Sequence, residues 1–306
     1  MGFPLIAPVA GERETVLCRV CGIRKDSTYL VARGYRIVKC GGCGLWYVNP
    51  QPTIEELSQF YAQYDDGDQW RSRERDFNLG VRKAILKFTQ GGKLLDVGCG
   101  SGDFLVCMRQ AGFTVRGIEP SETGGSYARD TLGIEVFSGM VEDYLTKQNR
   151  ETFHVLTLLN VLEHLTDPRG MLLQLRRLME RDAFLVVVVP DARFHDCVGN
   201  LRRRLGIVDP YWLEQPRSVL SGFKLPDHLS SFQPRTISLL LRRCGFEIRR
   251  IENAPVVLNP RFYRNALKIG VRCVGQMLYY ASLRRVVFGY STLIVARKLP
   301  DEGATT

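Results

Sequence analysis

Five short apolar runs between Lys93 and Pro190 alternate with stretches of helical character. The runs read LLDVG, FTVRGIE, IEVFSG, FHVLTLLN and AFLVVVVP, and two further runs, FEIRRIE and STLIVARK, follow Pro190. Strands that are apolar along their whole length are typical of a parallel sheet covered by helices on both faces. The alternation therefore predicts an α/β fold with a doubly wound sheet.

Length and charge limit the function classes. The chain has 306 residues, and its 42 Lys plus Arg against 32 Asp plus Glu give a net charge of +10. This excess favours an anionic partner: a nucleic acid, a membrane surface or a phosphorylated substrate. The longest apolar run has about eight residues, fewer than the roughly 18 that a membrane helix needs, and the N-terminus lacks the basic start of a secretory signal. We therefore expect a cytoplasmic protein.

Changes in composition divide the chain into three predicted parts. The N-terminal part is rich in Cys and Gly and ends in a Pro-rich stop, after which Thr53 is an N-cap candidate with Glu56 three residues on. The predicted parts are a small module at 1–52, a helical linker or lid at 53–91, and the α/β domain at 92–300 with basic inserts at about 191–226 and 255–288.

Four of the nine cysteines pair in the sequence. The two Cys-x2-Cys pairs, with 18 residues between them, are Cys18 with Cys21 and Cys40 with Cys43. This spacing is typical of a four-thiolate zinc site, and adjacent glycines supply the tight turns that such a site needs. A filled thiolate sphere leaves no open position for catalysis, so we expect a structural zinc ribbon. The alternative is four core cysteines without a ligand.

The loop after the first apolar run carries an acid and three alternating glycines: Asp96, Gly98, Gly100 and Gly102. Glu119 ends the next run, 23 residues after Asp96, where an acid can accept hydrogen bonds from both hydroxyls of a ribose. Asp103 would repel a dinucleotide pyrophosphate at the helix N-terminus, whereas a sulfonium cofactor without phosphate tolerates it. The sequence therefore favours S-adenosylmethionine over NAD.

The loop resembles the DxGxGxG motif of class I S-adenosylmethionine-dependent methyltransferases, and FHVLTLLNVLEHLTDP is similar to the fourth-strand motif of their ubiquinone-biosynthesis-like branch. The resemblance covers about residues 93–190, with looser agreement to 298. It implies a Rossmann-like sheet of seven strands, the last antiparallel, with the cofactor over the carboxyl ends of the first four. The cofactor-binding residues of this prediction are Asp96, Gly98, Gly100, Gly102, Glu119, Pro120, Met140, Val141, Glu142 and Asn160.

Three side chains after the predicted fourth and fifth strands are candidate catalytic groups. Glu163 and His164 follow the fourth strand, where the resemblance implies that the transferred methyl group lies, and His228 follows the fifth. A histidine is suited to removing a proton from an acceptor hydroxyl near neutral pH. The alternative is structural, with Glu163 and His164 ordering the loop. Some relatives bind a divalent metal through an ExxEH run, but Asn160 stands at its first carboxylate position here.

Residues 254–300 contain no Asp or Glu but eight Arg or Lys. Five apolar residues fall at helical spacing, and basic residues fall on another stripe. The apolar residues are Leu267, Val271, Val274, Leu278 and Ala281, and the basic ones are Arg264, Lys268 and Arg272. This pattern predicts peripheral contact between residues 261–287 and an anionic membrane surface, such as the inner membrane. The alternative is a helix whose apolar stripe packs on the domain.

The cysteine module, together with Asp227-His228-Leu229, most resembles methyltransferases of bacterial sugar, polysaccharide and natural-product pathways. We therefore predict methyl transfer from S-adenosylmethionine to a hydroxyl of a sugar, a nucleotide sugar, or a lipid- or polysaccharide-linked sugar, whose phosphate the arginines at 202–204 would meet. One alternative is an RNA methyltransferase that binds phosphates through the ribbon and basic inserts, although aromatic residues do not interleave the Arg clusters. Another is a non-catalytic binding protein, which the glycine loop disfavours.

Overall fold

The computed structural model describes most of the chain. The described residues are 13–32, 34–53, 55–57, 75–147, 151–194, 196–197, 204, 227–255, 262–283 and 286–300. The chain divides into two compact units. The first is Met1–Asp65, Glu163–Arg169 and Pro190–Leu240, and the second is Asp66–Leu162, Gly170–Val189 and Leu241–Thr306. Both units are therefore discontinuous in sequence.

The secondary structure alternates along the chain as the apolar runs predict. The strands of the described residues are β1 (Asp26–Ala32), β2 (Tyr35–Cys40), β3 (Trp46–Val48), β4 (Gly92–Val97), β5 (Phe113–Glu119), β6 (Glu135–Ser138), β7 (Phe153–Leu159), β8 (Met179–Pro190), β9 (Ser230–Ser231), β10 (Phe246–Asn253) and β11 (Ser291–Lys298). The helices with described bounds are α1 (Arg75–Ile85), α2 (Asp103–Arg109), α3 (Glu122–Ser126), α4 (Val141–Lys147), α5 (Pro168–Leu175), α6 (Pro234–Arg243) and α7 (Phe262–Ala281).

A sheet of seven strands in the order β10-β11-β8-β7-β4-β5-β6 forms the centre of the second unit. The strands β4 to β8 pair in parallel, whereas β10 and β11 pair in antiparallel orientation. The sheet grows from β4 first to one side and then to the other, as in doubly wound folds. The predicted α/β, doubly wound sheet of seven strands with an antiparallel last strand is confirmed.

Burial of the central strands explains this sheet. Leu94 in β4 and all residues of β8 from Leu185 to Val189 are almost completely buried. Phe77 of α1 and Phe104 of α2 belong to the same core cluster as Leu94. Each fully buried large apolar side chain contributes roughly 1.5–3 kcal/mol, which favours helices that cover the sheet.

An antiparallel sheet in the order β1-β2-β3-β9 forms part of the first unit. The two-residue strand β9 comes from a segment far from the others in sequence. On either side of it, Val48 N–H donates to Leu229 O at 2.9 Å and Ala192 N–H donates to Phe232 O at 2.8 Å. Residues 229–232 therefore complete a sheet that begins near the N-terminus.

The structure tests the predicted boundaries only in places. Thr53 N–H donates to Glu56 Oε2 at 2.9 Å, and Glu56 N–H donates to Thr53 Oγ1 at 3.2 Å. This reciprocal capping box confirms Thr53 as an N-cap. The domain boundaries and the lid stay predictions. Most of the insert at 191–226, including Arg202 and Arg203, lies outside the described residues.

The helix predicted within residues 255–288 is present as α7. The alternative, in which the apolar stripe packs on the domain, is wrong for Val274 and Leu278, which are 53% and 43% exposed. Tyr279 and Gly275, from the other side of the helix, are buried instead. The packing contacts therefore come from residues that hydropathy did not select. In the part of the chain that the structure describes, no helix is long and apolar enough to cross a membrane.

Candidate functional site

The glycine loop between β4 and α2 has a backbone shape that favours glycine. Gly98, Gly100 and Gly102 have φ angles of 73°, 53° and 80°, all in the left-handed region. A Cβ at Gly98 would lie 2.7 Å from Val161 Cγ2, and one at Gly102 would lie 2.9 Å from Ala128 Cβ. A Cβ at Gly100 would meet nothing within 4 Å. Gly100 therefore borders open space in which a ligand can approach the backbone.

Glu119, at the end of β5, holds this loop in place. Its side chain is buried, its Oε2 accepts a hydrogen bond from Gly100 N–H at 2.7 Å, and its Oε1 accepts one from Ser121 N–H at 2.8 Å. A carboxylate oxygen can accept more than one hydrogen bond, so these contacts are compatible with binding a ribose. The contact between Glu119 and a ribose stays a prediction. The structure adds a second role, because Glu119 also fixes the loop.

Asp96, near the end of β4, is almost completely buried. Its Oδ1 accepts a hydrogen bond from Thr157 Oγ1 in the neighbouring strand β7 at 2.5 Å. Sequence reasoning missed Thr157 because the two residues are 61 positions apart. Burial and the charges of Asp96 and Glu119 raise the pKa of the Cys99 thiol in the loop, which favours its protonated form.

The other predicted cofactor residues also follow parallel strands. Pro120 follows β5, Asn160 follows β7, and Met140, Val141 and Glu142 follow β6. Because β4 to β7 are parallel, their carboxyl ends share one edge of the sheet, which we call the cofactor edge. Val141 is buried there, whereas the other four are exposed. The structure thus brings all ten predicted residues to one edge, and their contact with a cofactor stays a prediction.

The four paired cysteines converge in the first unit and form what we call the cysteine cluster. Their sulfur atoms all lie within 4.8 Å of one another, with Cys18 Sγ 3.5 Å from Cys43 Sγ and Cys21 Sγ 3.4 Å from Cys40 Sγ. Gly22 and Gly44, with φ of 77° and 84°, form the turns after each pair. Four sulfurs converging in this way are a donor set that zinc favours.

A second group of polar side chains in the first unit consists of Glu163, His164, Asp227 and His228, and we call it the histidine cluster. Asp227 Oδ1 lies 2.6 Å from His164 Nδ1. The rings of His164 and His228 pack edge to face with their centroids 4.8 Å apart. Glu163, Asp227 and His228 are buried, and His164 is partly exposed. Leu229 N–H donates to Glu163 O at 2.8 Å, which joins the two segments.

The hydrogen bond to Asp227 decides the chemistry available to His164. An ionised carboxylate only accepts hydrogen bonds, so the neutral ring carries its proton on Nδ1 and has a lone pair on Nε2. Glu163 Oε1 lies 4.0 Å from this Nε2. A neutral ring in this tautomer has the proton-accepting nitrogen that a general base requires, and the catalytic role of His164 stays a prediction. A carboxylate oxygen and two ring nitrogens also lie within 4.8 Å of one another, a donor set that divalent ions accept.

Residues 70–251 match the family model described as a methyltransferase domain. The match spans more than half of the 306 residues and includes the glycine loop, Glu119 and the histidine cluster. The chain belongs to this methyltransferase family. The predicted resemblance to class I methyltransferases is thereby confirmed.

Curated relatives of the methyltransferase share one description. The chain is 36% identical over 103 residues to the ubiquinone biosynthesis O-methyltransferase of Actinobacillus pleuropneumoniae serotype 5b (strain L20), in a match that covers 31% of this chain and 44% of the relative. It is 38% identical over 117 residues to the enzyme of that name from Haemophilus ducreyi, covering 36% of this chain and 49% of the relative. The methyltransferase thus spans about half the length of these relatives.

A solved structure with a similar fold is the S-adenosylmethionine-dependent methyltransferase from Thermotoga maritima that is described as a possible histamine N-methyltransferase. It matches with a TM-score of 0.50 and 17% identity, covering 79% of this chain and 99% of that one. At this identity the likeness shows the fold alone, and it agrees with the seven-stranded sheet of the methyltransferase.

One buried acid of the methyltransferase escaped sequence reasoning. Asp191 directly follows β8, is almost completely buried, and accepts a hydrogen bond from Arg193 N–H at 2.9 Å through Oδ1. Burial raises the pKa of Asp191 to about 6. A signal was present in the sequence, because an acid follows a fully apolar run there. The buried side chain lies at the start of the predicted insert, in the first unit.

Proposed function

We propose that the methyltransferase moves the methyl group of S-adenosylmethionine to a hydroxyl oxygen of a small-molecule acceptor. The observation that carries this proposal is the 2.6 Å contact between His164 Nδ1 and Asp227 Oδ1. It leaves Nε2 as the proton acceptor of the ring, and an oxygen nucleophile needs such a group. The names of the relatives, which are O-methyltransferases, support oxygen as the methylated atom.

The cofactor edge supports S-adenosylmethionine as the methyl donor. Gly100 leaves its backbone open to a ligand, and Glu119 offers carboxylate oxygens to a ribose. The buried carboxylate of Asp96 favours a ligand with a positive charge, and Asp103 in the first turn of α2 disfavours a pyrophosphate. When bound, S-adenosylmethionine supplies an electrophilic methyl group on a positively charged sulfur.

The proton of the acceptor hydroxyl goes to His164. As the bond between acceptor oxygen and methyl carbon forms, the bond between carbon and sulfur breaks and its electron pair stays on sulfur. Nε2 of His164 takes the hydroxyl proton, and Asp227 and Glu163 stabilise the resulting imidazolium. His228 packs edge to face on the His164 ring and restrains its orientation. Alignment of the nucleophile with the methyl group supplies much of the remaining rate enhancement.

The chemical class of the acceptor does not follow from the relatives of this chain. The relatives' names support ubiquinone biosynthesis for those enzymes and do not support a sugar for this one. The predicted hydroxyl of a sugar, a nucleotide sugar or a lipid-linked sugar stays a prediction. A phenol is the other acceptor class to be separated, because its hydroxyl has a pKa near about 10 and gives up its proton more readily than an alcohol.

The cysteine cluster supports one structural zinc ion. Tetrahedral thiolate ligation with a zinc–sulfur distance of about 2.3 Å places sulfur atoms roughly 3.8 Å apart. The observed contacts of 3.4 and 3.5 Å are close to this value, so little movement is needed to admit the ion. Four thiolates fill the tetrahedral sphere, and the ion would stabilise the first unit without taking part in methyl transfer.

The test is a turnover assay with methyl-labelled S-adenosylmethionine and three separate acceptor sets: catechol-like phenols, nucleotide sugars, and RNA. We expect label in one of the small-molecule sets. His164→Ala and Asp227→Asn should each lower kcat by roughly 100-fold or more while leaving cofactor affinity nearly unchanged. The first change removes the base, the second removes the carboxylate that orients the ring and stabilises the imidazolium, and both spare the cofactor edge. His154→Ala is the matched control, because His154 lies outside the histidine cluster and is partly exposed.

The pH profile separates a base from a structural histidine. A base gives a rate that rises with pH through its own pKa, and replacement of Asp227 should shift that limb. If both variants keep the wild-type kcat and an unchanged profile, His164 is not the base. Label that enters only RNA would favour the RNA methyltransferase instead.

A further inference from the structure

The outward face of α7 is apolar along its described length. Successive helical residues turn by about 100°, so the exposed positions occupy roughly half of the circumference. Apart from Arg272, which lies outside this arc, the exposed residues from position 269 to 281 are Ile269, Gly270, Cys273, Val274, Met277, Leu278, Tyr280 and Ala281. Met277 is 70% exposed and Tyr280 is 57% exposed. From Ile269 to Ala281, this arc holds no charged residue, which is the reverse of an ordinary surface helix.

Contacts on the opposite side of α7 fix this orientation. Tyr279 is almost completely buried, and a Cβ at Gly275 would lie 2.2 Å from Phe288 O. The helix therefore packs closely on the segment that follows it, and only a glycine permits that approach. Rotation of α7 that hid the apolar arc would separate Tyr279 and Gly275 from these contacts. The exposed face is thus a consequence of packing within the second unit.

The apolar surface continues beyond the end of α7. Ser282 Oγ accepts a hydrogen bond from Val286 N–H at 2.9 Å, which orders the turn after the helix. Leu283 is 79% exposed and Val286 is 44% exposed. We call the exposed apolar residues of α7, together with Leu283 and Val286, the α7 surface. Exposed apolar patches of this kind mark sites of interaction with a protein or a membrane.

The charge around the α7 surface identifies the kind of partner. Arg272 is exposed beside the apolar arc, and the sequence from 261 to 287 carries five other basic residues and no acidic one. A second copy of the chain would bring the same positive charge to the contact, and like charges oppose such an association. An anionic lipid surface supplies both negative charge for the basic residues and an apolar layer for the exposed side chains.

We propose that the α7 surface lies in the interface of an anionic membrane, with the helix parallel to the bilayer and its apolar arc inserted. This proposal does not rest on the proposed methyl transfer. The proposal assigns a lipid contact to α7, which packs within the second unit through Tyr279 and Gly275 and leaves its apolar arc exposed. The membrane contact would hold the protein at a lipid surface without a spanning helix.

The test is cosedimentation of the full-length protein with vesicles of phosphatidylcholine alone and of phosphatidylcholine with phosphatidylglycerol. We expect binding to the anionic vesicles that is at least tenfold tighter than to the neutral ones and that weakens with added salt. Met277→Glu should lower binding to anionic vesicles by tenfold or more, because it places a negative charge in the inserted arc. Leu173→Glu is the matched control, since Leu173 is 42% exposed on α5 and lies outside the α7 surface.

Unfolding is excluded as a cause by comparing the melting temperature and S-adenosylmethionine affinity of the two variants with those of the wild type. Equal binding to neutral and anionic vesicles would overturn the proposal, as would equal losses in Met277→Glu and Leu173→Glu. Sedimentation of the protein without lipid tests whether a second copy of the chain covers the α7 surface instead. A wild-type dimer that Met277→Glu converts to a monomer would show that the face is a contact between copies and would also overturn the proposal.

Discussion

The glycine loop and the histidine cluster differ in what they are made of. In the loop, the groups proposed to contact the cofactor are backbone atoms left open by the absence of side chains, and Gly98, Gly100 and Gly102 lie within five consecutive residues. In the histidine cluster, the groups are side chains, and His164 and Asp227 are 63 positions apart. The loop keeps its shape as long as β4 and β5 pair, whereas the cluster exists only when two distant segments meet.

This difference predicts which substitutions disturb each region. A glycine substitution acts through space and backbone conformation, so its effect is local to the cofactor edge. Changes that disturb the first unit act on several side chains together, because the cysteine cluster, β9 and the histidine cluster share one discontinuous unit. Binding and turnover should therefore respond to different sets of substitutions.

The largest expected effect is the loss of the cysteine cluster. Cys40→Ser should remove the zinc ion and destabilise the first unit by several kcal/mol, since structural zinc contributes roughly 10 kcal/mol or more in small modules. Affinity for S-adenosylmethionine should stay within about twofold, because the cofactor edge belongs to the other unit. Zinc content, thermal unfolding and calorimetry measure the three quantities.

Cys197→Ser is the control for this comparison, because Cys197 belongs to the first unit but is exposed and outside the cluster. It should retain zinc and the wild-type melting behaviour. Protein purified without chelators that contains no zinc would contradict the predicted ion. A parallel loss of cofactor affinity in Cys40→Ser would contradict the separation of the two regions.

A pair of glycine substitutions gives the next largest effect. Gly98→Ala should cost roughly 2–4 kcal/mol of stability, because its Cβ would lie 2.7 Å from Val161 and its φ is 73°. Gly100→Ala should cost only about 1 kcal/mol for its positive φ, yet weaken S-adenosylmethionine binding by at least tenfold by filling the open space. Denaturant unfolding and calorimetry separate the effects. If Gly98→Ala and Gly100→Ala change stability and S-adenosylmethionine affinity by similar amounts, the assignment of the open space at Gly100 to the cofactor is wrong.

The smallest effect concerns the pH dependence of stability in the first unit. The pKa of Asp191 is raised from 3.8 to about 6, so its charged form is disfavoured in the folded state and stability falls as pH rises from 4 to above 6. Asp191→Asn removes the charge and should raise stability at pH 7.5 by roughly 1–3 kcal/mol, with less change near pH 4. Urea unfolding at both pH values measures the difference.

Asp182→Asn is the control for Asp191, because Asp182 is an acid of β8 with an exposed side chain. It should leave the pH dependence of stability unchanged. If Asp191→Asn keeps the wild-type slope of stability against pH, the raised pKa of Asp191 is wrong.

Most of the second unit was predictable from sequence because its signals are local. Each parallel strand from β4 to β8 corresponds to one of the five apolar runs, and parallel strands bring the ends of consecutive runs to one edge. Asp96, the three glycines and Glu119 follow from this rule and from the loop motif, and the other five predicted cofactor residues come from the family resemblance. Thr157 was missed because the sequence does not show that β7 pairs with β4. Only that pairing places the Thr157 hydroxyl beside Asp96.

The first unit was less predictable because its contacts join distant segments. The strands β3 and β9 have three and two residues, too short for a period of two to be visible. The partner of His164 depends on that pairing, because Asp227 lies three residues before β9. In α7, the sequence left open whether Val274 and Leu278 face a membrane or the domain, and close packing at Gly275 on the other side of the helix leaves both exposed.

The pairing of β3 with β9 also sets the timing of folding during synthesis. The N-terminal strands leave the ribosome long before Ser230, and at 5–20 residues per second the 182 residues from Asn49 to Ser230 take roughly 10 to 40 s to make. Throughout that interval the edge of β3 lacks its final neighbour, and unpaired strand edges recruit other chains. Nascent chains of this protein therefore carry an unpaired strand edge until β9 has been synthesised.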